Sequence, residues 1–249
     1  EAGSDAANVK TRGVRVEGGW RVTGQKIWTS GAQNSQLGFA TVRTDSSGKK
    51  HAGVTMMVID MHADGVEVRP LREITGEALF NEVFFDDVFV PDSDVVGEVG
   101  AGWAVARATL GNERVTIGGS SEVMGFSEDE LVALWSQSSD VRYVSDVGGV
   151  LGDRQVMRML NLRQATRAVQ GSGPGPEGNL NKMLTAEHNP HVTELALKML
   201  GSPAVVGESR ATWAYLFHRC ATIAGGTSEI TRNQIAERLL GMPRDPLLA

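Results

Sequence analysis

A single cysteine, Cys220, is the whole sulfhydryl content of the sequence, so no disulfide can form within the chain. A framework without disulfides suits a reducing compartment, and Cys220 itself reads as a small buried apolar residue. No apolar run approaches the ~20 residues needed to cross a bilayer. No secretory signal stands at the start. The chain opens on Glu1 rather than Met, directly onto a motif, and the start reads as a cut. Long Lys/Arg runs are missing too, and the formal net charge is -6. A mildly acidic chain repels nucleic acid and anionic lipid, which argues against both as partners. The five histidines, His51, His62, His188, His191 and His218, lack metal-ligand spacing. His188 and His191 stand beside Pro190, which is expected to disrupt their helix face, so no metal site is expected.

What is present is the balance of an ordinary globular protein, 249 residues with 41% hydrophobic and 22% charged. Two periodicities divide it. Val14–Val16 and Trp20–Val22 alternate around Gly18-Gly19, a hairpin signal. Phe39–Arg43, Gly53–Ile59, Gly65–Val68 and Asn81–Phe85 continue as short strands, separated by turns such as Ser46-Ser47-Gly48, and Pro91 closes the region. Strands this close together predict a small sandwich or barrel. From Gly102 the period becomes helical through Trp103, Ala106, Leu110 and Ile117. Asp153–Val169, Leu180–Leu200 and Ser228–Leu240 read as amphipathic helices that would pack as a bundle. Ser136–Asp146 and Gly148-Gly149 are poorly periodic and are expected to be loop. The expected fold class is α+β: a β domain over 1–98 and a helical bundle over 99–249.

Four motifs carry possible chemistry. Ala2-Gly3-Ser4-Asp5 is a turn with a hydroxyl that could donate to a phosphate oxygen; alone, a surface turn explains it better. Gly24-Gln25-Lys26-Ile27-Trp28-Thr29-Ser30-Gly31 sets an indole beside two hydroxyls. Trp28 could flank a flat heteroaromatic ring and Ser30 could bond its edge, although a lone Trp is by default a core aromatic. Glu113, within Asn112-Glu113-Arg114, lies in a mostly apolar helical stretch. Facing inward, its carboxyl would be desolvated and suited to base duty; a solvated helix face is the simpler alternative. Gly225-Gly226-Thr227-Ser228-Glu229-Ile230 opens a helix with an N-cap hydroxyl, where free amides attract anions; a plain capped start accounts for it equally.

Taken in series, these motifs resemble the acyl-CoA dehydrogenase family. The resemblance runs from Ala2 to Arg244 and rests on AGSD (Ala2–Asp5), GQKIWTSGA (Gly24–Ala32), FNEVFFDDVFVP (Phe80–Pro91), GWAVARATLGNER (Gly102–Arg114) and IAGGTSEITRNQIAERLLGMPR (Ile223–Arg244). It implies a middle β domain and a C-terminal four-helix bundle, the second and third of the family's three domains. It implies FAD as cofactor, with Ser4 at the pyrophosphate, Trp28, Thr29 and Ser30 at the flavin ring, and Thr227, Ser228 and Glu229 at the adenosine half. It also turns Ser4, Arg114 and Gly226 toward an acyl-CoA substrate. Many relatives carry a glutamate base immediately before the Gly-Thr of the last motif, where this chain has Gly225. A minority pattern places the base on the first bundle helix before an arginine, and Glu113 before Arg114 matches it. Two further departures are the absence of Phe-Gly after Arg142 and Lys198 in place of a glutamine before Gly201-Ser202. Such departures resemble a bacterial branch that acts on diverse substrates, including sterol side chains, some members of which pair unlike subunits. The implied activity is α,β-dehydrogenation of an acyl-CoA thioester, with electrons passed to an electron-transfer flavoprotein by a homo- or hetero-oligomer in the bacterial cytosol. A non-catalytic partner subunit and an acyl-CoA oxidase-like relative stand as alternatives.

Overall fold

In a computed structural model of the chain, residues 2–119, 125–171 and 177–244 are described, with the backbone alone for residues 111–119 and 177. β1 (Arg12–Val16) and β2 (Gly19–Ser30) form the hairpin expected at Gly18-Gly19, with Val16 opposite Gly19 and Gly18 at φ +73°. β3 (Leu37–Arg43), β4 (Val54–Asp60), β5 (Val66–Leu71), β6 (Phe80–Pro91) and a short β7 (Val95–Val96) follow. All are hydrogen-bonded into one sheet in the order β5-β6-β2-β1-β3-β4-β7. Pairing is antiparallel except β1 with β3, which run parallel and meet only at Arg12 and Arg43. β2 and β6 each run to 12 residues, well beyond the short stretches their alternation marks, because they pair with each other nearly end to end.

The core of this unit draws on β2, β3, β4 and β6: Trp20, Val22, Ala40, Val42, Met57, Ile59, Val83, Phe85, Val88 and Val90 lie in one buried cluster. β4 and β6 are separated by three strands in the order yet feed the same cluster, so the sheet bends around its core. Each fully buried Val or Ile there contributes about 1.5–3 kcal/mol.

α1 (Gly102–Gly119) begins against β4. A Cβ on Gly102 would lie 2.4 Å from the Met56 backbone nitrogen, so only glycine lets the helix start so close to the strand. The chain divides into two compact units, Glu1–Leu110 and Gly111–Ala249.

In the second unit α2 (Glu128–Ser138) starts at a capping box: the Ser127 hydroxyl accepts from Glu130 N–H, and the Glu130 carboxylate accepts from Ser127 N–H. α3 (Val144–Val169), α4 (Glu177–Leu200), α5 (Ser202–Val206), α6 (Arg210–Phe217) and α7 (Ser228–Gln234) follow, and a wider π-type turn, Ile235–Leu239, completes the last helix. Phe126, Leu131, Val147, Val150, Val192, Leu195, Ala196, Ala211 and Ala214 form its core.

Four expectations are corrected here. Ser136–Asp146 is not all loop: Ser136–Ser138 belong to α2 and Val144–Asp146 to α3, with a 3-10 turn at Val141–Tyr143 between them. Gly148-Gly149 do not make a loop: α3 passes through them, because Val147 and Val150 on either side are buried against α2 and α4 and that packing outweighs glycine's weak helix propensity. Pro190 does not break α4. The Thr193 hydroxyl donates to the Asn189 and Pro190 carbonyls, 3.1 Å each, one turn on. Cys220 is only half-buried, in a 3-10 turn at His218–Thr222. Among the described residues no cluster of His, Cys, Asp and Glu could hold a metal ion, and no helix is long and apolar enough to cross a membrane.

Candidate functional site

The sheet forks. β1 covers β2 only from Gly19 to Thr23 and touches β3 only at Arg43, so the second half of β2 and most of β3 diverge from Arg12 as two arms. Thr11 sits in the angle of the fork, its hydroxyl donating to the Gln25 carbonyl at 3.2 Å and its carbonyl accepting from Arg43 N–H at 2.7 Å. Gly24 lies against it at φ +152°, where a Cβ would come within 2.7 Å of the Thr11 Cα. Between the arms is a cleft of about 630 Å³, lined by Ala2, Gly3 and Ala6 of the first motif, by Gly24–Trp28 of the second, and by Lys10 and Thr41. The first two sequence motifs thus meet at one place, although residues 6–23 separate them.

Lys26 reaches across this cleft. Its ammonium donates to the Thr41 carbonyl on the opposite arm at 2.7 Å. Burial pushes its pKa down from 10.5 to about 8, since a desolvated ammonium is costly and the lining residues include no carboxylate. Two residues on, a bulge breaks the β2–β6 register between Lys26 and Thr29. Trp28 takes φ +64° there, a left-handed conformation that a bulky residue adopts only where its surroundings impose it. The bulge leaves the indole 63% exposed, in edge contact with the Phe80 ring at 6.2 Å. Trp28 is therefore not a core aromatic. Downstream, buried Asn81 donates to the Thr29 carbonyl at 3.0 Å and to the Gln33 side chain at 2.6 Å, pinning the strand end. Ser4 and Ser30 are exposed, and Thr29 is half-buried; none of the three lines the cleft.

In the helical unit, Gly225 and Gly226 take φ +68° and +103° and lead into Thr227, whose hydroxyl accepts from Ile230 N–H at 3.2 Å as the N-cap of α7. The buried Lys182 ammonium of α4 donates to the Gly226 carbonyl at 2.5 Å. The exposed Glu229 carboxylate is held below the usual range by its own backbone N–H, the Thr227 hydroxyl and the charges of Arg232 and Lys182. Ser228 is buried with no hydrogen-bond partner on its hydroxyl among the described residues. Gly226, Thr227, Ser228 and Glu229 are thus gathered at one helix start.

Glu113 and Arg114 fall on α1, and their side chains lie outside the described residues. Arg142 and Lys198, at the two departures from the family pattern, are engaged locally: Arg142 pairs with Asp140 at 2.6 Å and Lys198 with Glu194 at 2.9 Å. Sequence reasoning missed Lys26, Asn81 and Lys182. A charged or amide residue inside a strand or helix core was the only available signal, and it does not say what the group reaches.

Comparison with known proteins agrees with both halves. Residues 1–88 match the model of the acyl-CoA dehydrogenase middle domain and residues 145–240 that of the C-terminal domain. The chain is 43% identical to the acyl-CoA dehydrogenase FadE34 of Mycobacterium tuberculosis over 98% of its own length and 34% of that protein's. It is 38% identical to the acyl-CoA dehydrogenase IpdE1 of the same organism over 98% of its own length and 65% of that protein's. Among solved structures it is similar to the Tcur3481-Tcur3483 steroid ACAD, with TM-score 0.87 and 26% identity over 98% of this chain and 66% of that one. It also matches the ChsE4-ChsE5 complex of Mycobacterium tuberculosis, with TM-score 0.80 and 26% identity over 98% and 67%. The two domain models and these relatives establish that this chain belongs to the acyl-CoA dehydrogenase family, through that family's middle and C-terminal domains.

Proposed function

We propose that the protein dehydrogenates an acyl-CoA thioester between its α and β carbons, with FAD as cofactor. The family is generally FAD-dependent. One observation carries the reading: a bulge presents the Trp28 indole, 63% exposed, beside a cleft of about 630 Å³. An indole held outward by a strained bulge offers a broad apolar face on which a flat ring can stack. In this reading Trp28 is the flavin contact that borders the cleft, while Thr29, Ser30 and Ser4, which stand outside its lining, are assigned to the flavin ring and the pyrophosphate by the family resemblance alone. The unpartnered Ser228 hydroxyl, with Thr227 and Glu229, fits the adenosine half. Ser4, Arg114 and Gly226 would contact the substrate.

The α proton of a thioester is weakly acidic. Its removal near neutral pH needs a positioned carboxylate and donors for the developing enolate oxygen. Glu113 is the proposed base, because Gly225 has no side chain to serve at the alternative place. When bound, the flavin supplies the hydride acceptor for the β hydrogen. The electrons then pass to an electron-transfer flavoprotein. An oligomer in the cytoplasm fits this reading. Exposed Val144, Leu151, Leu162 and Val169 on α3 suit subunit contact, and the ChsE4-ChsE5 neighbour is a complex by name.

The test is Glu113→Gln in the full-length protein, with flavin reduction by acyl-CoA followed anaerobically. A loss of ~10²-fold or more is expected for a missing base; an unchanged rate would remove Glu113 from the role. A second reading, a non-catalytic partner subunit, is favoured by Gly225 and by the local use of Arg142 and Lys198. Flavin that binds but is not reduced by any acyl-CoA would support it.

A further inference from the structure

Lys26 is an unexpected residue for its position. Its side chain lies in the angle of the forked sheet and has the Thr41 carbonyl as a hydrogen-bond acceptor at 2.7 Å. Gly24, Thr11 and Ala6 surround the same cleft, and none of them offsets the ammonium's charge. An unbranched apolar side chain such as Met would fill this space without desolvating a charge. On stability alone, lysine is the poorer choice.

What lysine does here is join the two arms. β1 does not extend before Arg12, so among the described residues no strand lies between the second half of β2 and β3. The Lys26 amine bridges that gap immediately before the bulge that carries Trp28. Asn81 holds the far side of the bulge through the Thr29 carbonyl. The left-handed Trp28 is therefore tethered upstream to β3 and downstream to β6. Loss of the upstream tether leaves the strained residue free to relax toward an ordinary extended conformation.

We infer that Lys26 is a positioning residue, which ties the bulge to β3 and so sets the width of the cleft and the angle at which the Trp28 indole is presented. For its effect on flavin this rests on the function proposed above; for its effect on the bulge it does not. The arrangement exchanges some stability for a fixed ligand-binding surface.

The experiment compares the wild-type protein with Lys26→Met and Lys26→Arg. Thermal unfolding checks the fold, hydrogen exchange by mass spectrometry follows residues 25–30, and FAD titration of the apoprotein gives affinity. Lys26→Met is expected to keep or raise the melting temperature near neutral pH, to exchange faster across residues 25–30, and to bind FAD at least ~10-fold more weakly. Lys26→Arg, which keeps a donor, is expected to recover part of the affinity. Equal exchange in wild type and Lys26→Met overturns the inference, whatever FAD does. Faster exchange with FAD affinity within twofold of wild type overturns the link to the flavin site. A wild-type protein that binds no FAD overturns the proposed function, while the exchange measurement still decides the role of Lys26. A large drop in melting temperature in both variants would make Lys26 a structural residue and also overturns the inference.

Discussion

The β unit and the helical unit hold their residues in place differently. The β unit gathers apolar side chains from four strands into one cluster. The 26-residue α3 buries only Val147 and Val150, and it leaves Val144, Leu151, Val156, Met159, Leu162 and Val169 at 40–89% exposure. In the sheet, strand register fixes which face every residue takes, and a shift of one residue would turn the whole set outward. In α3 most positions meet little, so a change there is felt mainly through helix propensity. Residues set against the sheet should respond sharply to substitution and those on α3 weakly.

Two helical glycines offer the sharpest form of this comparison. Gly102→Ala puts a methyl 2.4 Å from the Met56 backbone nitrogen, with Thr55 backbone atoms also within 3 Å. Backbone has to move, and a loss of about 2–4 kcal/mol in urea unfolding is expected, despite alanine's better helix propensity. A neutral outcome would mean that the start of α1 is not seated on β4.

Lys26 gives an intermediate effect with a distinctive pH dependence. Its amine loses its proton near pH 8 in the folded chain and near 10.5 when unfolded. Between those values the unfolded chain binds more protons, so this residue makes stability rise with pH across the window. The whole change amounts to at most roughly 3 kcal/mol. Lys26→Met lacks this contribution, so its stability advantage over wild type should be full below pH 8 and shrink toward pH 10.5. A difference that stays constant with pH would show that the amine is not desolvated.

The smallest effect is expected on α3. A Cβ at Gly148 meets nothing within 4 Å, so Gly148→Ala should stabilise the protein by about 0.5–1 kcal/mol through helix propensity alone. A loss instead would place an unseen neighbour against that face and weaken the contrast between the two units.

Much of the fold was legible. Alternation marked six of the seven strands, and the Gly18-Gly19 signal placed the first hairpin. β7 escaped notice because two residues carry no alternation. α2 escaped too, though the Ser127 and Glu130 pair is a start signal that sequence can show. At the site, AGSD and GQKIWTSGA were visible as motifs. The exposure of Trp28 was not, because a bulge is a mismatch between two strands and neither strand encodes it alone.

By itself the sequence determined that strands precede helices, that α7 starts at Thr227 or Ser228, and the family to which the chain belongs. Those follow from local periodicity, capping and motif order, which neighbouring residues carry. Only the tertiary structure decided that the sheet forks, that Trp28 is turned outward and that Lys26 spans the gap. Each of these depends on where a strand stops relative to a distant one, and the carbonyl that receives the Lys26 amine lies 15 residues away on another strand.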